Sequence, residues 1–341
     1  MTNCHSDLLK FYKDEVRLQD NSRESLETAR TTCTNNVTSG LEQNNEPSPK
    51  EFVSQGSFAM ETVVEHPDQD YDIDHGIVFA KSALVGPRGA DKTPRDARQM
   101  VADAFKDKRF DSEPKVKKNC VRFPYAAGYH VDMPVYRTAT DWLGATYYEI
   151  ASGDEWKKSD PKAVTKWFKD AVKAKSPNMT DGGQMRRVVC LLKAVEKTRE
   201  SYNWPSGFIV SVLVKDHYVS DERDDVSFIK TIRAIVSRLN SYTSVRHPVV
   251  DENLADAGDT AVVWMRDKLA DFEAKFKELE EPDCTRKRAM QLWDQVFGTK
   301  WFSDRLQENA ATLGFTAATV AASTPYRRPD DGNRWGSGRS G

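Results

Sequence analysis

The stretch Asp70-Tyr71-Asp72-Ile73-Asp74-His75-Gly76-Ile77-Val78-Phe79-Ala80 joins an acidic alternation to an apolar, strand-forming run. With a side-chain period of two, Asp70, Asp72 and Asp74 share one face while Tyr71 and Ile73 take the other. Carboxylates two apart on a strand stand roughly 6 to 7 Å apart and repel by about 2 to 3 kcal/mol per adjacent pair at an effective dielectric of about 20. A fold tolerates that more readily when a cation neutralises the face. Oxygen ligands with no His or Cys on the same face of that strand select a hard ion, Mg²⁺ or Mn²⁺. A bare Asp-x-Asp also fits an exposed acidic strand, because the spacing alone is a weak signal. A second strand argues for the site: in Tyr129-His130-Val131-Asp132-Met133-Pro134-Val135 the apolar side chains and Tyr129 face one way, leaving His130 and Asp132 on the other. A lone Asp in such a run needs a partner. Two carboxylates from one strand and one from a neighbour form a cradle for two-metal in-line displacement at phosphorus.

Upstream, Gln55-Gly56-Ser57-Phe58-Ala59-Met60 places a Gly-Ser step at the mouth of a short helix, where amides and a hydroxyl can cradle phosphate oxygens. The dipeptide by itself says little, and its position ahead of Asp72 is what gives it weight.

The whole chain has 341 residues, enough for two domains or one with a substantial added lobe and for a sizeable core. Lys and Arg number 50 against 52 Asp and Glu, a net charge of -2, so no global positive field holds nucleic acid in bulk. With 38% hydrophobic residues and mean hydropathy -0.67 the surface is polar, yet the composition is well above the disordered range. Cys4, Cys33, Cys120, Cys190 and Cys284 are scattered without a CxxC, which argues against a zinc site or a disulfide framework. Met1 to Asp7 has neither a basic nor an apolar leader segment, and the uncharged run Ala310 to Thr324 is too short to span a bilayer. The expected location is the cytoplasm, away from membranes.

Along the chain, residues 1–50 read as a helical segment packing on the core, and 51–152 as a catalytic sheet. Its expected strands cover Thr62 to Val64, Tyr71 to Ala80, Lys115 to Phe123, Gly128 to Arg137 and Thr146 to Ile150, with a helix over Pro94 to Lys106. Residues 153–322 switch to helical periodicity. Val164, Trp167, Phe168, Ala171 and Val172 make one stripe; Met185, Val188, Val189, Leu192 and Val195 a second; Val262, Met265, Leu269, Phe272, Phe276 and Leu279 a third. Residues 323–341 have the composition of a disordered tail.

The combination of Gln55-Gly56-Ser57, Asp72-Ile73-Asp74 and Tyr129-His130-Val131-Asp132 resembles the nucleotidyltransferase superfamily of DNA polymerase beta, oligoadenylate synthases and cyclic GMP-AMP synthase. It is most similar to the bacterial cGAS/DncV-like nucleotidyltransferases (CD-NTases) of CBASS antiphage signalling, strongly over Glu51 to Arg137 and more weakly toward residue 280. The resemblance implies an α/β (α+β) fold, a polymerase-beta-like mixed sheet with a C-terminal helical lobe. It implies that Asp72, Asp74 and Asp132 are catalytic and bind two Mg²⁺ (or Mn²⁺) ions, with Asp132 also helping to deprotonate the attacking ribose hydroxyl. Gln55, Gly56 and Ser57 would touch the donor triphosphate, and Arg122 would reach nucleotide from the strand before Asp132. In Cys190-Leu191-Leu192-Lys193 and Trp204-Pro205-Ser206-Gly207-Phe208, Lys193 and Ser206 would hold triphosphate oxygens, and in His247-Pro248-Val249-Val250-Asp251, Asp251 would contact a base.

The implied activity is a cyclic di- or oligonucleotide synthase that joins NTPs (ATP, GTP or others), releases pyrophosphate and makes a second messenger. Alternatives are a nucleotidyltransferase acting on RNA ends or a protein, and an inactive scaffold. Some relatives have a C-terminus that a ubiquitin-ligase-like partner conjugates, which makes Gly341 a candidate acceptor; a plain disordered end is the competing reading. Two departures stand out. Glu61 precedes Thr62 where relatives commonly carry glycine, and the animal DNA sensor's zinc insertion has no counterpart, so activation by DNA is not expected. Asp70 leaves open a pairing with Asp72, although the apolar strand after Asp74 favours the later pair.

Overall fold

In a computed structural model of the chain, residues 1–65, 71–86, 89–105, 113–125, 128–197 and 203–306 are described. Asp70 and the tail with Gly341 lie outside them. Helix α1 (His5–Phe11) passes through a wide turn at Tyr12–Val16 and is followed by the long α2 (Asp20–Gln43). Strand β1 (Glu51–Gln55), the short α3 (Gly56–Met60), β2 (Asp72–Ala80) and α4 (Pro94–Ala104) come next. Then follow β3 (Lys115–Val116), β4 (Val121–Pro124), β5 (His130–Met133), β6 (Val135–Thr140), β7 (Thr146–Ser152) and β8 (Glu155–Lys158). Helices α5 (Ala163–Lys175), α6 (Gln184–Lys197), α7 (Gly207–His217) and α8 (Asp224–Ser241) lead to a small hairpin, β9 (Val245–Arg246) and β10 (Asn253–Ala255). The described chain finishes through α9 (Thr260–Ala270), α10 (Glu273–Glu280) and α11 (Arg286–Phe297). Among the described residues no helix is long and apolar enough to cross a membrane.

Strand β2 organises the mixed sheet. On one edge β1 pairs with it antiparallel, setting Gln55 opposite Asp74. On the other edge β5 and β6 run parallel to it, with Asp72 opposite His130, Asp74 opposite Asp132 and Ile77 opposite Val135. Pro134 has no N–H to give the ladder, so the single strand expected over Gly128 to Arg137 is broken there into two. The break lets β4 pair with β5 and β7 with β6, both antiparallel. The strand expected over Lys115 to Phe123 is likewise a hairpin, β3 and β4. Thr62 to Val64 forms no strand: the Thr62 N–H is taken by the Ser57 carbonyl at 2.8 Å, and Val64 keeps only an isolated bridge to Arg17.

The odd-numbered positions of β2 and β5, with Val121 and Phe123 of β4, are buried against α2 and α4. Helix α2 supplies Leu26, Ala29, Cys33, Val37 and Leu41 at spacings of three and four, one helical face. It crosses α4 at backbone distance, because a Cβ on Gly40 would fall 1.6 Å from the Ala104 carbonyl oxygen. Helix α4 starts where Pro94 follows the capping residue Thr93, whose hydroxyl accepts the Asp96 N–H at 3.1 Å. This support leaves the even-numbered face, with Asp72 and Asp74, turned toward the helical lobe.

The lobe's stripes are buried where periodicity places them, Val164 and Trp167 at the margin. The third stripe stays on one face although the helix breaks between α9 and α10. The N-terminal segment serves two cores: Leu8 and Phe11 of α1 enter the lobe, where the Phe11 ring lies 4.8 Å from Phe297, while α2 lies under the sheet.

A buried polar cluster ties the lobe together. Asp224, at the start of α8, accepts from Arg187 Nε at 2.6 Å and Nη2 at 2.9 Å and from Gln184 at 2.9 Å. Both charged side chains are almost fully buried, 2% and 1% exposed. Breaking such a pair strands a charge in low dielectric, whereas replacing both partners does not. Arg187→Met is expected to lower the unfolding free energy by about 3 to 5 kcal/mol. The double variant Arg187→Met/Asp224→Leu should recover most of that loss in urea titrations followed by circular dichroism.

Candidate active site

The parallel pairing of β2 with β5 sets same-numbered faces side by side, so Asp72, Asp74, His130 and Asp132 project from one surface of the sheet. Asp132 is buried and Asp72 exposed; Asp74 between them is partly buried. Burial, and then the neighbouring Asp132 and Asp72, push its carboxyl up to about 7. Arg122, opposite Asp132 on β4, grips Asp132 with Nε at 2.8 Å and Nη2 at 2.7 Å, and Nη2 also reaches Asp72 at 3.2 Å. His130 Nδ1 stands 3.6 Å from the same Asp72 oxygen. The repulsion expected from the alternating acids is thus met by a fork-shaped cation of the protein's own.

Beyond the carboxylates opens a cavity of about 580 Å³ between the sheet and the lobe. Gln55, Gly56, Ser57, Asp72, Asp74, Lys193 and Ser206 all line it. Gly56 must be glycine: its φ is +66°, and a Cβ there would sit 1.9 Å from Asp74 Oδ2. Lys193 leaves α6 buried, donating to the Thr62 carbonyl at 3.0 Å and hydroxyl at 3.1 Å, and packs so closely on Gly207 that a Cβ would lie 2.9 Å from its Cε. Ser206 caps α7, its hydroxyl accepting the Ile209 N–H at 3.4 Å.

Glu61 takes the left-handed backbone expected of glycine, with φ +57°. A side chain there costs about 1 kcal/mol, and Arg186 opposes that cost by pairing with Glu61 at 2.8 Å while its Nε donates to the Met60 carbonyl at 3.1 Å. The left-handed turn is therefore formed here without glycine.

Three expected residues stand apart from the cavity, among them Asp132, which Arg122 holds. Asp251 lies in the exposed loop between β9 and β10, paired with Arg246 and lining a neighbouring hollow with Tyr147 and Lys158. Arg122 is turned onto Asp132 and Asp72 and does not line the cavity. Conversely, Tyr136, Thr62, Phe208 and His247 line it and were not singled out from sequence. Tyr136 donates to Gln55 Oε1 at 3.1 Å, and a Cβ on Gly76 would lie 2.9 Å from its ring. Its even number, shared with Asp132, was the available signal.

Three carboxylates, with the His130 imidazole beside Asp72, make a mainly oxygen donor set, the chemistry of a hard divalent-ion site. Among the described residues no three His, Cys, Asp or Glu converge as they stand on a common point for an ion. The guanidinium of Arg122 occupies the approach to Asp72 and Asp132, so loading a cation requires it to let go. At pH 8 an ionised Asp74 faces two other acids. Asp74→Asn is therefore expected to raise the melting temperature of the metal-free protein by about 2 °C or more. Mg²⁺ should stabilise the wild type and leave this variant unmoved in a thermal scan.

Residues 50–136 match the family described as cyclic GMP-AMP synthase DncV-like, nucleotidyltransferase domain. A cyclic GMP-AMP synthase of Escherichia albertii is 28% identical over 230 residues, covering 65% of this chain and 49% of that protein. The match thus spans about half the length of that curated relative. Vibrio cholerae DncV, in complex with the linear intermediate 5' pppA(3',5')pG, superposes with a TM-score of 0.69 at 16% identity, over 87% of this chain and 96% of that one. Escherichia coli DncV in its 3'-deoxy GTP bound form gives 0.65 at 17% identity, over 84% and 93%. The fold is that of DncV, and residues 50–136 within it match the DncV-like nucleotidyltransferase domain.

Proposed function

We propose that the chain is a synthase that joins NTPs into a cyclic di- or oligonucleotide, releasing pyrophosphate, and that its product is a second messenger in antiphage defence. One observation carries this reading: Asp72 and Asp74, on the strand paired with that of Asp132, border a single nucleotide-sized space together with the phosphate-binding candidates Ser57, Lys193 and Ser206.

In this reading the donor triphosphate lies along Ser57, the buried ammonium of Lys193 and the N-terminal amides of α7 beside Ser206. The Asp72 and Asp74 side of the cavity receives the α-phosphorus. A ribose hydroxyl of the acceptor attacks there; its oxygen forms the new bond to phosphorus, the bond to the bridging oxygen breaks, and pyrophosphate departs. Asp132 stands beside Asp74 to take the hydroxyl proton. Asp72, Asp74 and Asp132 would hold two Mg²⁺ or Mn²⁺ ions, which supply charge stabilisation at the attacking and leaving oxygens when bound. Arg122, released from Asp132, is then free to meet a phosphate. The likeness to the bacterial branch supports the defence role. Conjugation of Gly341 by a ubiquitin-ligase-like partner and a cytoplasmic location remain part of the same proposal.

Asp72→Asn/Asp74→Asn is expected to abolish product formation from labelled NTPs with Mg²⁺. Retained synthesis would overturn the site assignment. Chromatography of the wild-type reaction separates a cyclic small molecule from a labelled RNA or protein, and a labelled macromolecule as sole product would replace this reading with its alternative.

A further inference from the structure

The cavity that begins at Asp72 and Asp74 ends past Gly207 at two rings, Phe208 and His247, which lie 5.4 Å apart in an edge-on arrangement. His247 follows β9, and its backbone N–H donates to the Glu252 carbonyl at 2.9 Å, closing the loop toward β10. The imidazole has a fixed proton position. Nδ1 accepts the backbone N–H of Val249 and that of Val250, both at 3.1 Å. Pro248 between them and the histidine has no N–H, so the loop aims the next two amides at the ring. A ring nitrogen that accepts such bonds carries its lone pair there, so in the neutral imidazole the proton is on Nε2. Burial pushes the imidazole below its ordinary value, and protonation of Nδ1 would also set it against two N–H donors. With Nδ1 taken by the loop, the ring nitrogen that remains on this cavity-lining residue is a donor.

We infer that His247 reads the base of the bound nucleotide: its Nε2–H, beside the Phe208 ring, selects a base that shows an oxo acceptor. Guanine and uracil carry that oxygen where adenine and cytosine carry an amino group. An N–H donor facing an amino group leaves both donors without an acceptor, which is the asymmetry that makes a polar contact discriminate. The ring of Phe208 contributes contact that any base can use. The inference rests on the reading of this cavity as an NTP site and names the specificity within it.

The test is calorimetric binding of four non-hydrolysable NTP analogues, blocked at the α,β-bridge, to the full chain with Mg²⁺. The wild type is expected to bind the guanine and uracil analogues about 10-fold more tightly than the adenine and cytosine ones. In His247→Ala the first two should weaken until all four agree within about 2-fold. His247→Gln, whose amide can present either a donor or an acceptor, should flatten the ranking by improving the other two. Phe208→Leu should weaken all four alike. A folded His247→Ala, or His247→Gln should the first not fold, that keeps the wild-type ranking overturns the assignment. A wild-type preference for adenine or cytosine overturns it as well. A wild type that binds none of the four overturns the NTP-site reading together with it.

Discussion

Parallel pairing of β2 with β5 forces Asp74 and Asp132 into register on one face of the sheet, with Asp72 one step away. Three acids so placed cannot all stay charged without a cation. The protein meets this constraint in two ways at once: Asp74 is held with a raised affinity for its proton, and Asp132 and Asp72 share the guanidinium of Arg122. The strain is affordable because the opposite face of the same strands is buried against α2 and α4, a rigid layer that does not relax to separate the carboxylates.

The other wall of the cavity is built by the lobe and depends on close backbone approach. Lys193 reaches the cavity only because Gly207 has no side chain and because Thr62 offers it two oxygens. Thr62 in turn is positioned by the left-handed turn at Glu61, which Arg186 of α6 holds from behind. The same helix therefore supplies both the candidate phosphate ligand and the brace for the turn that faces it. That coupling fixes the lobe to the catalytic sheet across the cavity, and the buried Arg187–Asp224 pair anchors α6 to α8.

Local patterns were legible wherever one rule acted alone. Period-two alternation assigned Asp72, Asp74 and Asp132 to a common face, and the helical stripes of the lobe lie in its core. The pattern failed where a backbone detail intervened. Pro134 splits an apolar run that reads as one strand, and Thr62 to Val64 is strand-like in composition but lies in the turn that serves Lys193. The glycine rule at position 61 failed for a different reason, because an arginine more than a hundred residues later stabilises the strained conformation.

What the sequence determined by itself is the acid-bearing sheet face, the Gly-Ser turn before it and the change to helical periodicity after it, since each is set by neighbours two to four residues apart. Only the tertiary structure decided which cation faces the acids, how a lysine from α6 meets a threonine from before β2, and which nitrogen of His247 its own loop occupies. Those choices depend on groups brought together from distant parts of the chain, in a setting where burial and a low dielectric decide which partner each charge must take.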